Sequence, residues 1–175
     1  MTLKAFRIIG IDPGLRFTGW GMVEMVGSRV RHIANGACNS DGEDVAERLA
    51  SLYNALTEIF AEHVPTHAAI ETTFMNKDAA GSLKLGQARG IALLVPALHA
   101  IPIGEYAPNH IKKTIVGVGL ADKNQVAMMV KRTLPGVEFT RSDASDALAI
   151  ALCHGYHLMS QGRLAIAKQI KGPVK

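Results

Sequence analysis

Hydrophobic and polar positions along the chain change period several times, and the changes mark the elements. RIIGID is a continuous apolar run that predicts a strand covered on both faces. A Pro-Gly turn follows, and FTGWGMVEM suits a pleated surface, although its glycines weaken that reading. RVRHIANGACN comes after a Gly-Ser turn, so these two segments predict a hairpin. In DVAERLASLYNALTEIFAEH the residues Val45, Leu49, Leu52, Leu56, Ile59 and Phe60 recur at helical spacing until Pro65.

HAAIET predicts another buried strand. The stretch AAGSLKLGQARGIALLVPALHA predicts a long helix, broken or kinked around Gly90 and Pro96. IPIGEY reads as a short strand, and NHIKKTIVG and KNQVAMMVKRTL as short helices separated by GVGLAD. SDASDALAIALCHGYHLMSQ is a helix with a cap-like start. Strand, hairpin, helix, strand, helix, strand and terminal helices predict an α/β fold: one mixed sheet with helices on both faces. A single domain is expected over residues 1–160, followed by a basic, flexible tail over 161–175.

Composition adds bounds. The 175 residues are 48% hydrophobic and 19% charged, enough apolar content for one folded core. A formal charge of +4 modestly favours a polyanionic partner. Cys38 and Cys153 stand far apart without metal-ligand spacing, which reads as buried free thiols, with a disulfide as the lesser alternative. MTLKAFRIIGID lacks a signal-peptide apolar region, and IALLVPALHAIPI is too short to cross a bilayer. A cytoplasmic protein without membrane contact is expected.

Four acids stand out by position. Asp12 and Glu71 each end an apolar strand; if those strands are parallel neighbours, both carboxylates emerge at the edge where open α/β sheets place ligands. Asp143 and Asp146 lie three apart at the start of the last helix and share one face. Each also has a plainer role. Asp12 can start a turn, Glu71 a polar loop, and Asp143 and Asp146 can serve a helix N-terminus. Convergence of all four would be electrostatically costly unless a divalent cation relieved it, and hard oxygen ligands suit Mg²⁺ or Mn²⁺. Two such ions about 3.5–4 Å apart form the recurring arrangement for phosphodiester cleavage. No GxxxxGK[ST] loop or HExxH occurs, and the seven histidines show no metal-site spacing. His154 and His157 read as helix surface, and Ser142 and Ser145 as caps.

The segments GIDPGLRFTGWG, AIETTFMNKDAAGSLKLGQARGIA, YAPNHIKKTIVGVGLADKNQVAMMV and SDASDALAIALCH together resemble the RuvC family of bacterial Holliday-junction resolvases, from about residue 7 to 158. The resemblance implies a ribonuclease H-like fold on a five-stranded mixed sheet, and a homodimer built on the helix carrying Gly86, Ala88 and Gly90. It implies paired symmetric nicks in four-way DNA junctions, leaving 5′-phosphate ends, during recombination and repair. Asp12, Glu71, Asp143 and Asp146 become the catalytic, metal-binding set, with two Mg²⁺ per site and Mn²⁺ able to substitute. Phe74 becomes an aromatic wedge against an unpaired base. Lys112 and Lys123 take the family's basic positions, with Lys113 beside the first; Arg16, Lys84 and Arg89 are further cationic candidates, the last two alternatively supporting the dimer. The RuvA–RuvB branch-migration complex is the implied partner. Thr72-Thr73 departs from the Gln-Val of some members. Two other readings stay open: an actin-like or sugar-kinase-type phosphotransferase, and a non-catalytic junction-binding module.

Overall fold

The computed structural model describes residues 4–72 and 78–171. Three strands come first, β1 (Ala5–Asp12), β2 (Phe17–Val26) and β3 (Arg29–Asn39). Helix α1 (Val45–His63) precedes β4 (His67–Glu71), and α2 (Ala79–Leu98) precedes β5 (Ile103–Tyr106). Then come α3 (Pro108–Val116), α4 (Lys123–Thr133) and α5 (Ser142–Lys171).

The strands form one sheet in the order β3-β2-β1-β4-β5. β1 and β2, like β2 and β3, pair antiparallel, whereas β4 lies parallel to both β1 and β5. Ile11 sits opposite Ile70, so Asp12 and Glu71 follow side by side at the carboxyl ends of adjacent parallel strands. This is the juxtaposition expected from the two apolar runs.

Alternation along β1 divides the core. Ile9 and Ile11 point to the side of α1 and α2, with Leu52, Leu56, Phe60, Ala88 and Ala92. Ile8 points to the other side, with Ile111, Val126, Val130 and the α5 residues Leu148 and Leu152. Helices therefore cover both faces, and the central strand is buried from Ile8 to Ile11.

The strand glycines make contact between α5 and the sheet possible. A Cβ on Gly10 would lie 2.0 Å from the carbonyl oxygen of Ala147, and one on Gly19 would lie 2.1 Å from that of Asp143. Both are backbone atoms of α5, which cannot yield as a side-chain tip can. Gly10, and Gly19 from the segment whose glycines weakened its strand reading, are the seat of the helix.

Three expectations are corrected. α2 runs unbroken through Gly90 and Pro96, because packing of Ala88, Ala92 and Val95 in the core outweighs the one hydrogen bond that Pro96 forfeits. α5 continues to Lys171, ten residues beyond the predicted end at Gln161, so residues 162–171 are helical. His154 is buried, not on the helix surface; its Nδ1 meets the Tyr106 hydroxyl at 2.7 Å, in space that Gly104 leaves open. Cys38 and Cys153 are buried free thiols, as expected.

Replacing Gly10 by Ala should destabilise the fold by at least the ~1–3 kcal/mol typical of overpacking, since α5 must move as a body. A urea unfolding midpoint equal to wild type would contradict this account.

Candidate active site

The Pro-Gly turn after Asp12 is held internally. Thr18, fully buried, donates its hydroxyl to the Gly14 carbonyl at 2.7 Å and accepts the Gly14 amide at 3.2 Å. Asp12 is thus the end of a strand whose next turn is pinned. Beside it, the Glu71 carbonyl accepts from Arg89 Nε at 3.2 Å, and the following amide, of Thr72, donates to the Tyr106 carbonyl at 2.8 Å. Backbone ties therefore hold Glu71 from α2 and from β5.

Asp12, Glu71 and Asp146 line one cleft of about 210 Å³. Lys112 and Lys123 share its wall, and Pro108, Ile111, Val126 and Ala149 make its apolar floor. Lys123 Nζ lies 3.1 Å from Asp146 Oδ2. Asp143 does not line the cleft. Its Oδ2 is 3.0 Å from Arg141 Nε, and that guanidinium lies 3.7 Å above the Phe17 ring.

The electrostatics follow from this crowding. Burial, then the charges of Glu71 and Asp146, push Asp12 up to about 7 from its ordinary 3.8; Asp143 adds to the rise and Lys123 opposes it. Burial and Asp146 also raise Glu71, against Lys123 and Lys112. The hydrogen bond and charge of Asp146 raise Lys123. A cleft that holds back ionisation of its central acid is short of positive charge, and its donors are all carboxylate oxygens. Both facts fit a hard divalent cation. Among the described residues no three carboxylate, imidazole or thiol groups are gathered closely enough to hold a metal ion. The fit is thus one of donor chemistry and charge.

The other sequence candidates divide. Lys113 is exposed in the last turn of α3 and does not line the cleft. Arg16 is exposed, with its guanidinium 5.5 Å from the Phe17 ring. Phe74 lies outside the described residues. Ser145 is not a cap: its hydroxyl is buried and has no hydrogen-bond partner. Sequence reasoning missed the bond from Arg89 to Glu71, whose partners lie 18 residues apart with no local signal. It also missed the apolar floor, which the buried positions of α3 and α4 could have revealed.

A mixed five-stranded sheet with acids at adjacent strand ends, covered by a helix that brings more, defines a ribonuclease H-like resolvase fold. The yeast mitochondrial Holliday junction resolvase Ydc2 has the same fold, with a TM-score of 0.67 over 94% of this chain and 86% of that one at 14% identity. The profile of the family described as crossover junction endodeoxyribonuclease RuvC matches residues 8–154, and the chain belongs to this family. A relative of that description from Ruegeria pomeroyi is 60% identical over 155 residues, covering 89% of this chain and 94% of its own. One from Acidiphilium cryptum is 52% identical over 168 residues, covering 95% and 100%. T. thermophilus RuvC in complex with a Holliday junction substrate superposes with a TM-score of 0.82 at 30% identity, over 89% of this chain and 96% of that one.

The raised Asp12 sets a pH dependence for the metal-free protein. Its folded pKa lies above its unfolded one, so the folded state keeps a proton that the unfolded state releases. Stability should therefore be greatest below about pH 4 for this group and fall as pH rises towards about 7. Asp12→Asn should flatten that slope and stabilise the protein at pH 8. Chemical denaturation across the range checks it; parallel slopes for variant and wild type would contradict the burial argument.

Proposed function

We infer that this protein is a structure-specific endodeoxyribonuclease that resolves four-way DNA junctions by hydrolysing phosphodiesters. The observation that carries this reading is the cleft in which Asp12, Glu71 and Asp146 meet beside Lys112 and Lys123, in a chain of the RuvC family. The junction substrate held by the T. thermophilus relative supports the same substrate here.

In this reading Asp12, Glu71 and Asp146 would hold the cation, and Asp143, paired with Arg141, would complete the acidic set. Divalent cations held there, two Mg²⁺ per site with Mn²⁺ able to substitute, would supply Lewis acidity for hydrolysis of the phosphodiester. Lys112 and Lys123 grip phosphate, and the apolar floor limits water around the scissile group. The pinned turn after Asp12 and the backbone ties at Glu71 keep two ligands from moving during the cut. Phe74 serves as the wedge at the crossover, Arg16 and Lys113 as outlying DNA contacts. A phosphotransferase reading leaves the pairing of Asp146 with Lys123 beside Asp12 without a use.

Paired nicks need two sites. α2 presents Leu83, Leu94 and Leu98, exposed by 66%, 44% and 63%. Between them, nothing lies within 4 Å of where a Cβ on Gly86 or Gly90 would stand. An apolar stripe with small residues at its centre supports close approach of a second α2 and a two-fold dimer. The cellular reading is cytoplasmic, working with the RuvA–RuvB complex. No described helix is long and apolar enough to cross a membrane.

Asp12→Asn or Asp146→Asn should abolish nicking of a synthetic four-way junction in Mg²⁺ while leaving junction binding within a few-fold. Chelation should stop wild-type cutting, and linear duplex should be spared. Cutting by either variant at the wild-type rate would remove these residues from the site. Leu94→Glu should yield monomers in sedimentation and uncoupled single nicks; a variant that remains dimeric would move the interface elsewhere.

A further inference from the structure

A second cleft, of about 260 Å³, lies across Asp146 and Lys123 from the carboxylate cleft. Lys123 and Asn124, the first two residues of α4, form one side; Thr140, Arg141, Ser142 and Ser145, at the start of α5, form the other. Two helix N-termini therefore open on the same space. Their first-turn amides lack partners within the helix and carry the positive ends of both dipoles. Asp122 takes up the Gln125 amide of α4, leaving the two earlier ones.

Ser145 supplies the independent observation. Only 2% exposed, it lines this cleft, and its hydroxyl has no hydrogen-bond partner. It does not even bond back to the carbonyl one turn earlier, the usual refuge of a helical serine. A buried hydroxyl left unpaired is a costly feature that a ligand accepting a proton would repair. The surrounding donors select the ligand's charge. An amide and two further hydroxyls face the space beside Lys123 and Arg141, and because these cations are paired with Asp146 and Asp143 the positive ends are those of the two helices.

We propose that this cleft is a phosphate subsite, holding a backbone phosphodiester of bound DNA adjacent to the one in the carboxylate cleft. The proposal rests on the nuclease reading and adds a contact that places the strand. Because Lys123 and Asp146 form the shared wall, a phosphate seated here fixes which phosphodiester reaches Asp12. Neutral donors and helix ends recognise the group by its oxygens, without reading base sequence.

The test is a charge-deletion scan. Four-way junctions carrying one neutral methylphosphonate at each position near the crossover are bound to full-length protein without divalent metal, and affinity is read by fluorescence anisotropy. Wild type should lose about tenfold at one position for the carboxylate cleft and about tenfold at an adjacent one. In Ser145→Ala and Asn124→Ala the adjacent position should lose its effect, while the first keeps it. Thermal melting confirms that each variant folds, and Thr140→Ala, exposed on the rim, serves if either does not. A scan in which no adjacent position matters, or matters equally in wild type and variants, overturns the subsite. So does inorganic phosphate that stabilises wild type but not Ser145→Ala while the scan stays flat, because the cleft would then hold a free anion and not DNA. Failure of wild type to bind or cut any junction overturns instead the nuclease reading beneath it.

Discussion

The closeness of α5 to the β1–β2 pair governs the rest of the structure. Helices usually sit on sheets through side chains; here backbone nearly touches backbone, because Gly10 and Gly19 have nothing to interpose. Gly19 is also the residue paired with Asp12 across the ladder. The atom that would meet its missing Cβ is the carbonyl oxygen of Asp143. The glycine that registers β2 against β1 thus seats the first acid of the helix beside the last acid of the strand. Asp146, one turn on, then overlooks the cleft. No loop is asked to place any of these three residues.

That rigidity has an electrostatic cost which the fold carries deliberately. Carboxylates brought together in a half-buried cleft resist ionising, and Asp12 bears most of the effect. Lys123 offsets part of it by holding Asp146, and Arg141 draws Asp143 aside. Neither lysine nor arginine is buried, so these pairs contribute little to stability themselves. What sustains the strained cleft is the apolar core on each face of β1. The site is a charge imbalance held open by packing, which is the condition for a protein that needs an external cation.

Much of this was legible in the chain. Apolar runs ending in Asp12 and Glu71 could be read as parallel neighbours, and the three-residue spacing of Asp143 and Asp146 as one helical face. The hairpin followed from its turn. What could not be read depends on long-range contact. Glycines within β2 look like weak strand residues until the helix above them is known. His154 looks like surface until Gly104 opens a place for it beside Tyr106. Gly90 and Pro96 look like breaks, but packing of Ala88, Ala92 and Val95 carries α2 through them. Nor could spacing show that Asp143 turns to Arg141 and away from the cleft that Asp146 lines.

Arg89 ties helix α2 to the sheet. Its Nε bonds the Glu71 carbonyl, and its guanidinium also pairs with Glu105 on β5. α2, which carries the exposed leucine stripe, is thereby fastened to the strand end that supplies Glu71. The opposite face supplies Asp146 through α5. The cleft therefore lies where two separately packed layers meet at one sheet edge, each fixing a different carboxylate.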